Sequence, residues 1–296
     1  MDFPRLAFVG PGTVGTALAL ALARAGYPVV AIAGRSTGQV KALADRIPGA
    51  RTADSVQQAV DATDVVFLTV PDDAIKPVAQ GIAWPIECSA IHCSGVASVD
   101  LLAPAIEASA QAGVFHPLQT FATAAQAEKN MPGSAFGIEA TSDELLATLF
   151  GMAKALGGTP LAIAGDKSVY HASAVIASNY LVTLLDIASG LWETLGLSRE
   201  DGLKALLPLV RGTIENLEAV GLPRALTGPV ARGDVGTIER HLDALSRVAP
   251  DILPVYKGLA RRTIPIARAK GGLTEEAANR LTAILDRRIE GGEECA

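Results

Sequence analysis

The 296-residue chain has few aromatic and few charged residues. Phe, Trp and Tyr make up 4% of it and Asp, Glu, Lys and Arg 19%, whereas 49% of the residues are hydrophobic. The shortage of aromatic residues argues against an aromatic-rich β-sandwich, and the abundance of Ala, Leu, Val and Gly favours closely packed helices and parallel strands. The length suggests one large domain or two ordinary ones.

The sequence also lacks any run of basic residues, and its net charge is −6. Nucleic acid and anionic membranes are therefore not expected partners. The N-terminus lacks the pattern of a signal peptide, and no apolar run of 18 residues is free of polar breaks, so we expect no transmembrane helix. Cys88, Cys93 and Cys295 have no metal-ligand spacing and form no even disulfide set. We expect reduced thiols, no metal and a cytoplasmic protein.

The most informative segment is RLAFVGPGTVGTALALALARAGYPVVAIAGRS, which begins at Arg5. An apolar run, glycines in G-x-G-x-x-G spacing, a helical stretch and a second apolar run predict a strand, a turn, a helix and a strand. Glycines also mark ordinary turns, but with both strands and the helix in place the pattern favours dinucleotide binding. Gly10 permits the tight turn, Gly12 allows close approach of a pyrophosphate, and Gly15 allows helix and strand to pack closely. The predicted cofactor-binding turn consists of Gly10, Pro11, Gly12, Thr13, Val14 and Gly15.

The end of the second strand indicates which dinucleotide is bound. An NAD site usually has a carboxylate there, whereas this chain has Gly34, Arg35 and Ser36. The Arg35 guanidinium can form a bidentate contact with a 2′-phosphate, which favours NADP. Alternatively, Arg35 is simply exposed and Ser36 caps the next helix, and capping is compatible with phosphate binding.

Further apolar runs at 64–70, 89–95, 113–121, 134–140 and 159–165 alternate with helical stretches, and after residue 165 the alternation stops. This pattern predicts an α/β fold, a doubly wound and mainly parallel Rossmann sheet followed by an all-α C-terminal domain. We predict an NADP-binding domain over residues 1–164 and a helical substrate and dimerisation domain over residues 165–296.

Ligands of such sheets bind beyond the carboxyl ends of the strands. Val70, Pro71 and Ser94 lie at such ends, and we expect the nicotinamide near Val70 and Ser94. Ser94 can reach a substrate or serve only in a turn. His116 can donate to a substrate or satisfy a nearby carbonyl group, whereas His92 is expected to be a buried, hydrogen-bonded histidine.

The segment DKSVYHASAVIASNY begins at Asp166 and predicts the start of a single helix over residues 166–196. Lys167, His171 and Ser178 fall on one face of it, and Asn179 lies close to that face. Lys167 is unfavourable in a first helical turn, which suggests a functional use such as proton donation or anion binding. The alternatives are a solvated lysine and, for Ser178 and Asn179, bonds to neighbouring helices.

Helical periodicity also marks residues 199–219, 234–248 and 274–290, and residues 250–272 are expected to be helical but broken by Pro254 and Pro265. Before the helix at 234, LTGPVARGD predicts a shaped loop in which Arg232 can bind a carboxylate or phosphate, or be an exposed connector.

Taken together, the segments FVGPGTVG, AGRS, TVPDDAI, HCSG, FHPLQTF, DKSVYHASAVIASNY and LTGPVARGD resemble a family of NADP-dependent oxidoreductases. These proteins join a Rossmann-like domain to a C-terminal helical domain of unknown function. The resemblance covers nearly the whole chain. It is looser to the wider superfamily of 6-phosphogluconate, β-hydroxyacid and ketopantoate reductases and of pyrroline-5-carboxylate reductase.

The resemblance implies a catalytic lysine at Lys167 and a homodimer formed by the helical domain. His171 stands where the superfamily would have a substrate-binding asparagine. We therefore predict an NADPH-dependent reductase of a small carbonyl or imine compound, with a 2-oxo acid such as ketopantoate as the specific candidate. Lys167 or His171 would donate the proton, with Ser94 and Asn179 in the catalytic site and His116 and Arg232 binding substrate. The alternatives are hydride exchange between NADP and a deazaflavin, and a non-catalytic NADP sensor.

Overall fold

The structure is a computed structural model that describes residues 3–287. It divides into two compact units, Met1–Ser178 and Asn179–Ala296. The first unit thus includes the helix that begins at Lys167, which the sequence assigns to the C-terminal domain. The boundary at 164/165 remains a prediction about the domains.

The first unit contains one eight-stranded sheet with the strand order β3-β2-β1-β4-β5-β6-β7-β8. All neighbouring strands are parallel except β6 and β7. The mainly parallel Rossmann sheet predicted from the sequence is confirmed. The strands are β1 (Leu6–Val9), β2 (Val29–Ala33), β3 (Arg51–Thr52), β4 (Val65–Leu68), β5 (Ser89–His92), β6 (Gln111–Leu118), β7 (Ala135–Ala140) and β8 (Thr159–Ala162).

An α-helix lies in each connection between successive strands, and a short 3-10 helix over Val99–Leu102 precedes one of these helices. Serine, threonine or aspartate side chains cap several of them, as for the helix that begins at Lys167, whose N-cap Asp166 accepts from the backbone N–H of Ser168. The helices of the first unit are α1 (Thr13–Arg24), α2 (Thr37–Ala44), α3 (Val56–Asp61), α4 (Asp72–Gln80), α5 (Ala103–Glu107), α6 (Ala124–Asn130), α7 (Asp143–Ala155) and α8 (Lys167–Ala177).

Both faces of the sheet are buried, as a doubly wound fold requires. On one face a row of phenylalanines from four strands, among them Phe8 and Phe67 with ring centroids 4.9 Å apart, packs with residues of α1 and α7. On the other face Ala7 and Val9 pack with residues of α3 and α4. Because neighbouring residues of β1 enter opposite clusters, the strand is apolar throughout, which is the pattern that the sequence shows.

Helices are the only regular elements among the described residues of the second unit. Its apolar cluster includes Ile238, Ile264 and Leu281, one from each of its last three helices. Two short 3-10 helices, Leu191–Leu195 and Pro250–Ile252, accompany the α-helices. The helices are α9 (Asn179–Gly190), α10 (Arg199–Val220), α11 (Val235–Val248), α12 (Leu253–Lys270) and α13 (Glu275–Asp286). The last residues of the predicted helix 274–290 lie outside the described residues.

Two predictions about helices are wrong. The single helix over residues 166–196 is interrupted at Ser178, where φ is −112° and ψ is −66°, so α8 and α9 are separate. Ser and Asn are weak helix formers, which explains an interruption at Ser178 and Asn179. The predicted break at Pro265 is absent, because α12 continues through it, whereas Pro254 lies in the first turn, where no N–H is needed.

The segment Lys167–Leu195 is long and apolar enough to cross a membrane by length and composition alone, with a mean hydropathy of 1.5 in its most apolar window. The expectation of no transmembrane helix rests on the polar residues that interrupt this segment, and it stays a prediction. A single segment of this kind is weak evidence, since helices of many proteins that do not enter membranes meet the same criteria.

Candidate functional site

A cavity of about 910 Å³ lies in the first unit at the carboxyl ends of β1, β2 and β4. This is the position at which doubly wound sheets bind nucleotides. Most of the predicted cofactor-binding residues line it, namely Gly10, Pro11, Gly12, Gly34, Arg35, Ser36, Val70 and Pro71. Thr13, Val14 and Gly15 form the first turn of α1 beside it.

Each glycine of the turn between β1 and α1 has its own geometric reason. Gly10 has φ +97°, a conformation that side chains other than hydrogen rarely tolerate. A Cβ atom on Gly15 would lie 2.4 Å from the Thr69 Oγ1 atom and 2.5 Å from the Gly10 carbonyl oxygen. A Cβ atom on Gly12 would meet no atom of the described residues within 4 Å. The Gly12 position is therefore open toward the cavity side, whereas Gly15 packs α1 against the strand ends.

The start of α1 is suited to an anion. Its N-cap is Gly12, no side chain among the described residues caps it, and its first turn holds no acidic residue. Free N–H groups and the positive end of the helix dipole are therefore available at the cavity. A pyrophosphate is the kind of group that such a helix start binds.

Arg35 is exposed at the rim of the cavity, directly after β2 and Gly34. The Ser36 hydroxyl accepts from the backbone N–H of Gln39 at 3.5 Å, so Ser36 caps α2 as the sequence allows. Asp54 and Ser55 also line the cavity but were not predicted. They follow β3, and a strand of two residues leaves too short a pattern to be recognised in the sequence.

A second group of polar residues surrounds the turn after β5. The Ser94 hydroxyl donates to the Asp72 Oδ2 atom at 2.7 Å and accepts from the backbone N–H of Ala97 at 3.1 Å. Ser94 is only 5% exposed, and Asp72 begins α4. The hydroxyl proton of Ser94 is therefore engaged by a carboxylate, and this pairing could not be foreseen from the sequence.

His92 is fully buried and hydrogen-bonded, which confirms the prediction. Its Nδ1 atom accepts from the backbone N–H of Ser94 at 3.2 Å, and its Nε2 atom lies 3.0 Å from the Ser98 carbonyl oxygen. Since Nδ1 is an acceptor here, the ring proton belongs on Nε2. Burial lowers the pKa of His92 to about 4, so the ring is neutral at pH 7.

His116, on β6, lies in a contact group with α8. Its Nδ1 atom is 2.9 Å from the Tyr170 hydroxyl, and its ring centroid is 6.3 Å from that of His171. A Cβ atom on Gly95 would lie 2.7 Å from both the His116 Nε2 atom and the His171 Cδ2 atom. The structure thus brings together the loop of Ser94 and Gly95, His116 and His171, whereas Tyr170 was missed because nothing in its spacing distinguishes it from a core tyrosine.

Lys167 begins α8, and its side chain is only 3% exposed. Its Nζ atom lies 3.4 Å from the Glu139 Oε2 atom, which also accepts from the backbone N–H of Val99 at 3.3 Å. Burial lowers the pKa of Lys167, and the attraction of Glu139 opposes that shift. The interpretation of Lys167 as a solvated lysine is therefore wrong. Glu139 was missed because the sequence shows it only as one residue of a strand.

The remaining predicted residues belong to the second unit. Asn179 is exposed at the start of α9, and Arg232 is exposed in the loop before α11. Asp234 caps α11 by accepting from the backbone N–H of Thr237 at 3.0 Å. The catalytic role of Asn179 and the substrate-binding role of Arg232 remain predictions.

Two families match the sequence. Residues 5–88 match the family described as NADP oxidoreductase coenzyme F420-dependent. Residues 134–263 match a domain of unknown function (DUF2520). No curated protein matches the chain.

Similar solved structures span nearly the whole chain. A candidate NADP oxidoreductase from Bacteroides fragilis is 25% identical, with a TM-score of 0.70 over 89% of this chain and 98% of that one. A 1-pyrroline-5-carboxylate reductase from Streptococcus pyogenes is 17% identical, with a TM-score of 0.64 over 91% and 100%. A reductive aminase from Aspergillus terreus, in complex with NADPH, is 18% identical, with a TM-score of 0.57 over 96% and 93%.

The 1-pyrroline-5-carboxylate reductase and the reductive aminase share the fold with this chain. The order of the two matched families along the sequence agrees with the resemblance carried by the glycine turn and the later segments. The chain is therefore similar to an NADP oxidoreductase domain over residues 5–88 and to this C-terminal domain of unknown function over residues 134–263.

Proposed function

We propose that the protein is an NADPH-dependent reductase that transfers hydride to a small carbonyl or imine compound. The observation that carries this proposal is the cavity of about 910 Å³. The uncapped start of α1, which suits a pyrophosphate, lies at this cavity. Arg35 lines the same cavity, at the position where an NAD site would have a carboxylate. The oxidoreductase family that matches residues 5–88 supports the same conclusion.

The residues of the cavity fit NADP in size and chemistry. The turn from Gly10 to Gly15 would hold the pyrophosphate through backbone N–H groups, and Arg35 with Ser36 would hold the 2′-phosphate. Val70 and Pro71 would flank the nicotinamide side, toward Ser94. When bound, the nicotinamide supplies the hydride.

The polar group around Gly95 would act on the substrate. We propose His116 as a substrate-binding residue, and Lys167 or His171 as the proton donor. Ser94 would act through its hydrogen bond with Asp72, because its hydroxyl already donates its proton to the Asp72 Oδ2 atom in that bond. We also propose a catalytic role for Asn179 and, for Arg232, the binding of an acid group of the substrate.

Two substrate classes deserve a direct comparison. A 2-oxo acid such as ketopantoate matches the proposed role of Arg232. An imine matches the names of two structures that share the fold, 1-pyrroline-5-carboxylate reductase and reductive aminase.

Hydride exchange with a deazaflavin is the second candidate function, since the family at residues 5–88 is described as coenzyme F420-dependent. A non-catalytic sensor of NADP is the third.

We further propose that the protein acts in the cytoplasm as a homodimer formed by the helical domain. Large apolar side chains of the second unit are exposed, among them Val182 at 69% and Leu209 at 67%. Exposed apolar surface of this kind marks interaction sites, and a second copy of the chain would cover it.

The test begins with fluorescence titration by NADPH and by NADH. We expect NADPH to bind at least about tenfold more tightly, because only NADPH offers a phosphate to Arg35. NADPH oxidation is then followed with ketopantoate, 2-methyl-1-pyrroline and a deazaflavin in turn. Turnover of one of the first two supports the reductase, and turnover of the deazaflavin alone supports the second candidate. Tight NADPH binding with no turnover supports the sensor, and failure to bind either nucleotide contradicts all three.

A further inference from the structure

The hydrogen bond between His116 and Tyr170 joins β6 to α8 at the proposed substrate site. The His116 Nδ1 atom lies 2.9 Å from the Tyr170 hydroxyl oxygen, and the two rings meet nearly at right angles, at 87°. A hydroxyl at this distance occupies Nδ1 fully. The other ring nitrogen, Nε2, is therefore the one available to bind a second group.

Two glycines leave the space that this pair needs. A Cβ atom on Gly137 would lie 2.7 Å from the Tyr170 hydroxyl oxygen, and a Cβ atom on Gly95 would lie 2.7 Å from the His116 Nε2 atom. Real Cβ atoms do not approach so closely. The backbone therefore presents Nε2 beside the Ser94–Gly95 loop, where the strand ends place the site.

Burial and the positive groups near His116 favour its neutral form, and the Asp72 carboxylate opposes them. Burial is the largest cause, and it lowers the pKa of His116 to about 4, with further lowering by nearby positive charge. The titratable groups around it are His171 and Lys167 on α8, Asp72 at the start of α4, His92 at the end of β5 and Tyr170 itself. Burial also raises the pKa of Tyr170, so its hydroxyl keeps its proton at pH 7.

We propose that His116, in place of Lys167 or His171, is the group that protonates the bound substrate, from Nε2, and that Tyr170 is a positioning residue that fixes this tautomer. With Tyr170 donating to Nδ1, the ring proton stands on Nε2. This proton transfer rests on the proposed reductase function. Hydride adds to the carbon of the C=O or C=N bond, the π pair moves to the heteroatom, and the N–H bond at Nε2 breaks as the heteroatom takes that proton. Nδ1 takes the hydroxyl proton of Tyr170, and solvent returns a proton to the phenolate oxygen.

The chain offers a matched control for the removal of the tyrosine hydroxyl. In the second unit the His241 Nδ1 atom lies 2.8 Å from the Tyr256 hydroxyl oxygen, with the rings at 82°. Tyr256→Phe removes the same type of hydrogen bond as Tyr170→Phe, but outside the first unit. Neither tyrosine lines the cofactor cavity.

The first measurement needs no cofactor or substrate. Nitrogen-15 NMR of the imidazole rings in the full chain reports which nitrogen carries the proton. We expect wild-type His116 to be an Nε2–H tautomer at pH 7, and Tyr170→Phe to show a mixture of tautomers, with Tyr256→Phe leaving His116 unchanged. An Nδ1–H tautomer in the wild type would overturn the proposal, whatever the activity.

The second measurement is steady-state NADPH oxidation with the carbonyl or imine probe that the wild type turns over. We expect His116→Gln to lower kcat by about 100-fold or more and Tyr170→Phe by about tenfold or more, with KM for NADPH unchanged. Wild-type kcat in Tyr170→Phe, or in His116→Gln, would overturn the proposal. If the wild type turned over none of the probes, the reductase function would be overturned, and the proton-donor role of His116 with it. The NMR result on the tautomer of His116 beside Tyr170 would not depend on that outcome.

Discussion

Lys167 and Glu139 form an ion pair across 3.4 Å in which the lysine is buried and the glutamate is partly exposed, at 3% and 26% of their side-chain surfaces. The lysine is therefore largely shielded from water, whereas the glutamate is partly open to it. The two partners are therefore not equivalent: loss of the carboxylate leaves a buried charge, but loss of the ammonium group does not.

Glu139→Gln should destabilise the protein more than Lys167→Met does. We expect a loss of about 2 kcal/mol or more in the free energy of unfolding for Glu139→Gln, because the buried ammonium group loses its carboxylate. Lys167→Met keeps a similar volume without the charge and should cost less. Urea unfolding at pH 7 measures the free energy of unfolding of both variants. A larger loss in Lys167→Met than in Glu139→Gln would show that the aliphatic part of the lysine stabilises the protein more than its charge does.

The stability of the protein should fall as pH decreases from about 6.5 to about 4. His92 has a folded-state pKa of about 4 against an ordinary value of 6.5. Between these values the unfolded chain binds more protons than the folded one, so stability is lost as pH falls. His92 alone should contribute about 3 kcal/mol over this range. Chemical unfolding at pH 7, 5.5 and 4 measures the loss, and His92→Gln should show a shallower dependence than the wild type.

Gly15→Ala and Gly12→Ala should separate folding from cofactor binding. The added methyl group at Gly15 would clash with Thr69 and the Gly10 carbonyl group, which should cost about 1–3 kcal/mol of stability. The methyl group at Gly12 meets no described atom within 4 Å, so the melting temperature should stay near the wild-type value while NADPH affinity falls. Thermal unfolding and NADPH titration test the pair, and equal melting temperatures would argue against the close packing of α1.

Arg35→Ala should remove the preference for NADPH over NADH. The guanidinium is the only proposed charged partner of the 2′-phosphate, so NADPH affinity should fall by about tenfold or more while NADH affinity changes little. The matched control is Arg46→Ala, which removes an exposed arginine that follows α2 and does not line the cavity. An equal effect of both variants on the fluorescence titration would indicate general electrostatic attraction instead.

Val182→Glu should weaken the proposed dimer. Val182 is 69% exposed on α9, and a carboxylate there could not be buried against a second copy without a large desolvation cost. Light scattering coupled to size-exclusion chromatography should then give the mass of a dimer for the wild type and of a monomer for the variant. Ile86→Glu, at an exposed isoleucine of the first unit, should leave the dimer intact. A monomeric wild type would contradict the assembly.

Local patterns in the sequence were enough for the half of the first unit that contains the glycine turn. The strand, the glycine turn and the helix up to Arg24 depend on residues close together in the chain, and φ +97° at Gly10 follows from a turn that must be tight. The end of β2 was equally readable, because Arg35 and Ser36 follow the strand directly. The two-residue strand β3 escaped recognition, and with it Asp54 and Ser55.

The polar pairs around Gly95 required the tertiary structure. Asp72 and Ser94 are 22 residues apart, Glu139 and Lys167 are 28 apart, and His116 and Tyr170 are 54 apart. Their contacts depend on the strand order, on the antiparallel pairing of β6 with β7 and on the packing of α8, none of which is encoded in local periodicity. The sequence by itself determined the fold class and which residue types could bind a phosphate or move a proton. The tertiary structure alone decided which of those side chains are buried, paired and neutral, because burial and pairing arise only when distant segments pack together.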